Sequence, residues 1–391
     1  MFAAGTAIFA LLYSAQAVLP QISAEFQVSP AEAGLTMSVA TAALALAIVP
    51  ASALSERWGR SRVLVGAVTA AAVLGVLLPL SPTYGILLTV RALQGVAMAG
   101  MPAVAMAYLA DEIHPTALAG AVGTFVAGNG LGGLSGRLLG GVVTDVGGWR
   151  WGLGAVSLLS VTGAVLFVAL LRALPAHPPS RSPGGVHLRD PLLRRLFVAG
   201  FVLMGGFVTI YNYLSYRLLR PPFNLPPAVV GVIFLAYLAG TSASALAGRL
   251  ADRRGARVVL AGSVLLAIVA VLLTVPDSLL LVLVGLVLVT AGFFAAHAVA
   301  SGWVSRHAVS GRAQAAGIYM FAYYFGSSVG GWVGGLVFER GGWTLTALYV
   351  AAMFAVALLP TVGWPPWRRW SYAGAGTGTS RLPAPTSSSR P

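Results

Sequence analysis

A chain of 391 residues that is 58% hydrophobic and only 9% charged, with mean hydropathy +0.85, cannot be an ordinary soluble domain. Such a domain needs roughly a quarter of its residues charged to dress its surface. The net charge of +14 invites a nucleic-acid reading, but all 24 basic residues are arginines, and nearly all of them cluster in short gaps between apolar runs or at the ends. That is a membrane-topology signal, so no nucleic-acid partner is expected.

Crossing a bilayer takes about 20 apolar residues. Runs of that kind lie near 3–22, 33–54, 63–81, 85–109, 117–143, 151–171, 195–216, 228–247, 258–275, 278–303, 313–337 and 343–362. They predict twelve helices in an all-α polytopic protein whose lipid partner is the bilayer itself. The first run lacks a basic leader and has an internal counterpart, so it reads as a helix rather than a signal peptide. Of the arginines, 18 fall in one alternating set of gaps and ends, 4 fall in the other, and Arg91 and Arg137 fall inside helices. The positive-inside rule then places both termini in the cytoplasm, with the chain in the cytoplasmic (inner) membrane. The expected division is a first bundle at 1–172, a Pro- and Arg-rich linker at 173–194, a second bundle at 195–362 and a polar tail at 363–391, read as disordered.

The two bundles repeat each other. Phe26-Gln27-Val28-Ser29-Pro30 followed by Gly34 recurs as Phe223-Asn224-Leu225-Pro226-Pro227 followed by Gly231, 197 residues on. Glu56-Arg57-Trp58-Gly59 recurs as Asp252-Arg253-Arg254-Gly255 at an offset of 196. Gly123, Gly132, Gly136, Gly140 and Gly141 recur as Gly317, Gly326, Gly330, Gly334 and Gly335 at 194, and Gly147-Gly148-Trp149 recurs as Gly341-Gly342-Trp343 at the same offset. Chance does not hold these registers within three residues across half a chain, so the halves are a duplication.

Parallel six-helix halves of this kind resemble the major facilitator superfamily, and the resemblance covers about residues 3–362. Ser52-Ala53-Leu54-Ser55-Glu56-Arg57-Trp58-Gly59-Arg60-Ser61-Arg62 looks like the family's loop 2–3 motif, with Ser52 and Glu56 in place of its first glycine and its aspartate. The copy at 248–257 keeps both. The resemblance implies a gating latch at Glu56, Arg57, Gly59, Arg60, Asp111, Asp252, Arg253 and Gly255. Arg91-Ala92-Leu93-Gln94-Gly95 is similar to an Arg-x-x-Gln-Gly motif of the efflux branches. Gly123, Gly132, Gly136, Gly140 and Gly141 match every glycine of the antiporter motif in helix 5, with Arg137 where that motif has proline. In the family this helix packs between the halves. Gly128-Asn129-Gly130 resembles the branch that holds drug, sugar and nucleoside exporters.

The resemblance therefore implies a secondary transporter working by alternating access: an exporter by proton antiport, or, on the same fold, an uptake porter or facilitator. A non-transporting sensor would have no use for paired latches. An intramembrane charge marks a functional site unless it is paired or reaches water. All ten acidic residues fall at helix ends or in loops, which leaves His297 as the titratable group inside the span. The coupling set is accordingly Arg91, Gln94, Arg137 and His297. In this fold, helices 1, 4, 7 and 10 line the cavity, and their polar and aromatic residues with those of their neighbours give Tyr13, Gln16, Asn129, Tyr211, Asn212, Tyr237 and Tyr323 as substrate contacts. Two inner arginines and no inner acid favour a neutral or anionic small molecule over a cation. No catalytic triad, metal spacing or phosphate loop is visible and cysteine is absent, so no enzyme activity, metal or cofactor is expected; the expected state is a monomer.

Overall fold

The computed structural model describes residues 1–171, 186–308 and 311–362, so most of the linker and the whole tail lie outside the described residues. Helix 1 is a bent pair, Phe2–Ala17 and Leu19–Phe26, meeting at 57°. Helices 2 to 10 follow as Pro30–Trp58, Arg60–Leu80, Tyr84–Glu112, Thr116–Gly147, Trp149–Leu170, Pro191–Leu218, Pro227–Arg254, Ala256–Leu273 and Leu279–His307. The continuous stretch Gln314–Thr361 turns at Gly341 and Gly342, whose backbone leaves the helical region, and so supplies helix 11 (314–340) and helix 12 (343–361). The described residues thus form twelve membrane helices and no strand.

The repeated sequence signals sit at helix boundaries for identifiable reasons. Ser29 caps helix 2 with a reciprocal box: its hydroxyl accepts from the Glu32 amide at 3.2 Å while its own amide donates to Glu32 at 2.7 Å. Pro30 and Pro227 open helices 2 and 8, where proline's missing N–H costs nothing. Gly59 and Gly255 stop helices 2 and 8 at φ of 93° and 89°, backbone that a side chain resists. Helix 7 starts at Pro191, four residues before the expected 195, because Asp190 accepts from the Leu192 and Leu193 amides at 2.8 and 3.0 Å.

Within each half, glycines let two helices touch backbone to backbone. A Cβ on Gly128, Gly132 or Gly136 of helix 5 would stand 2.3–2.4 Å from the carbonyl oxygens of Phe2, Thr6 and Ala10 on helix 1. Helix 11 repeats this against helix 7, with Gly326 on the Phe201 carbonyl and Gly330 on the Gly205 backbone, while Gly334 meets the Thr209 side chain. The helix 5 glycines expected between the halves are thus mainly a seam inside the first half. Gly141 alone of the five reaches across, to Gly231 of helix 8, while Gly123 meets open space. Small residues drive such contacts because lipid offers no hydrophobic gain for association. Gly136→Leu is expected to prevent folding, since backbone cannot yield as a core side chain does, and the cost exceeds the ~1–3 kcal/mol of ordinary overpacking. Loss of the monodisperse peak in size-exclusion chromatography would report it.

The halves meet along helices 2 and 11, 5 and 8, and 1 and 7. Their bridging hydrogen bonds lie toward the face opposite the N-terminus, termed here the far face. Ala31 N donates to Glu339, Gln16 to Asn212, and Tyr216 to the Leu19 carbonyl, at 2.7, 2.8 and 2.9 Å. Helix 5 meets the short Pro227–Ile233 segment of helix 8 closely and the longer Tyr237–Arg254 segment barely, so the two diverge toward the terminal face. The molecule is closed at the far face.

Candidate functional site

Helix 1 breaks in its middle: the α-helix ends at Tyr13, a 3-10 turn spans Ser14–Ala17, and the α-helix resumes at Leu19 with Pro20 in its first turn. The break releases main-chain carbonyls into the protein interior, where each needs a donor. Arg91 serves Leu11 O, together with the Ser14 hydroxyl, and Leu12 O, and also reaches helix 2. Its Nε donates to Thr36 O at 2.8 Å, Nη1 to Leu11 O at 3.1 Å and to Gln94 Oε1 at 2.8 Å, and Nη2 to Leu12 O at 2.9 Å and to the Met37 sulfur at 3.4 Å. All five donors are used and the side chain is fully buried, so this cation is not reaching for the interface. Gln94 in turn donates to Ala71 O at 3.3 Å.

Arg137 is equally buried, at 1% exposure, but differently served. Its Nε donates to Gln16 Oε1 and its Nη1 to Gly133 O, both at 2.6 Å. The guanidinium lies between the rings of Tyr13 and Tyr237, 4.1 and 4.3 Å from their centroids, with Phe234 and Tyr211 beyond at 5.6 and 6.0 Å. Cation–π contacts of this kind stabilise a desolvated charge by ~2 kcal/mol. Among the described residues no carboxylate pairs with it, and Nη2 donates to no protein atom. The ring of donors continues across the halves through Gln16 to Asn212, which is fully buried.

A wall of rings runs from Arg137 toward the terminal face. Tyr211 meets Phe207 at 4.9 Å, Phe207 stacks on Phe293 at 3.8 Å, and Phe293 leads to His297 at 6.1 Å. His297 Nδ1 is 3.0 Å from the Tyr319 hydroxyl, and its ring lies 4.5 Å from that of Tyr323. The expected residues therefore fall in two clusters, with Tyr13, Gln16, Arg137, Tyr211, Asn212 and Tyr237 in one and His297 and Tyr323 in the other. Asn129 joins neither: its amide oxygen turns onto Gly5 of helix 1, where a Cβ would stand 2.3 Å away. Sequence reasoning missed Phe207 and Phe293, whose signal was their place on cavity-lining helices 7 and 10, Phe234 on the neighbouring helix 8, and Ser38 on helix 2, whose buried hydroxyl finds no partner.

At the terminal face, Arg60 forms an ion pair with Asp111 and donates to Ala107 O at 2.9 Å, tying the start of helix 3 to the end of helix 4. The acid in this contact is Asp111, while Glu56, Arg57, Asp252 and Arg253 are exposed. At the far face, a cleft of about 490 Å³ lined by Ser23, Gln27, Ser29, Tyr216 and Arg220 lies above the closed gate.

Two six-helix halves closed at one face around a buried cation describe a membrane transporter. The Major Facilitator Superfamily model matches residues 1–218 and 196–369, and the chain belongs to that superfamily. It is 38% identical over 370 residues to the uncharacterized MFS-type transporter YybF of Bacillus subtilis (strain 168), covering 91% of this chain and 90% of the relative. It is 40% identical over 366 residues to the inner membrane transport protein YnfM of Escherichia coli (strain K12), covering 92% and 88%. Among solved structures, a mutant of the nucleoside transporter NupG superposes with TM-score 0.74 at 15% identity over 92% of this chain and 98% of that one. A bacterial homolog of the human lysosomal transporter Spinster, inward-facing and occupied, superposes with TM-score 0.73 at 18% identity over 92% and 94%.

Proposed function

We propose that the protein is a secondary active transporter that exports a small organic molecule, anionic or neutral, by alternating access with proton antiport. The observation that carries this reading is Arg137: a buried guanidinium, beneath the closed far gate, with a free Nη2 and no acid beside it. A substrate carboxylate or other acceptor satisfies those donors, whereas a cationic substrate meets an unneutralised charge in a poorly screened site. The arginine bias puts the terminal face in the cytoplasm, so the helices diverge toward the side from which an exporter loads. The inner membrane is the matching location, in keeping with the name carried by YnfM.

For the proton, His297 is the group of choice, because it is the imidazole inside the span and it sits in the ring wall below the site. A passive facilitator is the second reading, favoured by the fact that His297 has a tyrosine hydroxyl rather than a carboxylate as its hydrogen-bond partner. One experiment separates the two. Ligands are first found by a thermal-shift panel on purified protein, then moved in liposomes with and without an imposed pH gradient. Gradient-driven accumulation is expected for the parent and is expected to vanish in His297→Ala, with downhill exchange retained. Accumulation that survives the substitution removes His297 from coupling, and equilibration that ignores the gradient in the parent establishes the facilitator.

A further inference from the structure

We propose that Gln16 is a positioning residue through which Arg137 locks the far gate, so that the gate is released when an anion takes over the guanidinium. This inference rests on the reading of Arg137 as the substrate's partner, and extends it from binding to gating.

Gln16 is fully buried on the 3-10 turn of helix 1 and has one acceptor end and one donor end. The guanidinium of Arg137 only donates hydrogen bonds, and its Nε at 2.6 Å fixes Oε1 toward itself. Nε2 must then face helix 7, where Asn212 Oδ1 receives it at 2.8 Å. The orientation of Asn212 follows in turn, because turning its Nδ2 inward would set donor against donor. That Nδ2 is left buried without a partner, and so is the hydroxyl of Ser38 on helix 2. Both lie beside Gly331 of helix 11, at 3.3 and 3.6 Å from where its Cβ would stand.

Arg137 grips the opposite half twice. One grip is the Gln16–Asn212 bond, and the other is the cation–π contact with the Tyr237 ring, 4.3 Å from the guanidinium. Both depend on a charge that nothing neutralises. An anion at the free Nη2 weakens the attraction to Tyr237 and competes with Oε1 for the cation, so it favours the state in which the halves have parted. The empty protein is held shut at the far face and the loaded one is let go, which suppresses futile opening.

The chain has no cysteine, so Ser38→Cys introduces a single thiol, buried at the seam between helices 2 and 11. Its reaction with a membrane-impermeant maleimide, added to the far face of sealed vesicles with no ligand present, reads how often the gate opens. In that background Gln16→Met and Asn212→Leu are each expected to speed labelling about fivefold, the shift from losing one net hydrogen bond. The double variant is expected to go no further, as members of one chain do not add. Gln16→Glu neutralises the guanidinium from within the protein, so it is expected to label fast with no ligand present, as the anion-loaded parent does, and to carry no anion. Unchanged labelling in Gln16→Met, additive effects in the double variant, or slow labelling in Gln16→Glu each overturns the lock. Correct folding is checked by the size-exclusion profile of every variant. If labelling responds as stated while Arg137→Met still carries anions, the lock stands and the anion reading fails; no response in labelling with transport lost in Arg137→Met is the converse.

Discussion

Arg137→Met is expected to abolish transport of an anionic ligand and to weaken its binding at least about 30-fold, since truncating one partner of a desolvated charge pair costs ~2–5 kcal/mol. Binding is measured by thermal shift or calorimetry with the strongest ligand from the panel. The same substitution is expected to leave the apparent Tm within a few degrees of the parent. Only two hydrogen bonds from protein acceptors serve this side chain, and burying a charge without an ion partner is itself unfavourable. Arg137→Lys keeps the charge but loses the planar fork, so it is expected to recover part of the binding and little of the specificity. Wild-type affinity in Arg137→Met, or a preference of the parent for quaternary ammonium compounds, would sink the anion reading.

Arg91→Met reverses that pattern. It is expected to cost roughly 3–5 kcal/mol, because a buried cation leaves behind the carbonyls of Leu11, Leu12 and Thr36 with lost donors. The measured result would be a large fall in Tm or loss of folded protein in detergent. In Arg91→Lys, three donors replace five and the guanidinium plane is gone, so the expected Tm lies between parent and Arg91→Met. A stable, transport-dead Arg91→Met would show instead that this arginine acts on substrate or proton. The two buried arginines look alike in sequence, and their stability and transport phenotypes are expected to be opposite.

That likeness marks the limit of what the chain reveals before folding. The twelve helices and the duplication were legible because lipid imposes length and polarity on every span and because three offsets agree at caps, latches and glycines. The role of Arg91 was not legible, because it depends on the break in helix 1 across residues 14–18. The signal available was Pro20, which cannot donate to the preceding turn and so invites a bend near that point. The glycines of helix 5 were recognised by spacing, but spacing does not say which neighbour they admit. Their partner is the carbonyl row of Phe2, Thr6 and Ala10 within the same half, with Gly141 alone reaching Gly231. Asn129 was grouped with the site because its type suited a cavity wall, while its helix turns it onto Gly5. The latch acid Asp111 was named through the resemblance, while its pairing with Arg60 depends on how the start of helix 3 packs on the end of helix 4.

The paired glycine seams also set how each half tolerates change. Contacts recurring every fourth residue along helix 5 and again along helix 11 weld each of these helices to a partner over much of its length. In a saturation scan scored for surface expression, this would print two comb-like tracks of intolerance 194 positions apart, with permissive lipid-facing teeth between them. Substitutions between the halves, at positions such as Gly141 and Gly231, would instead separate expression from turnover.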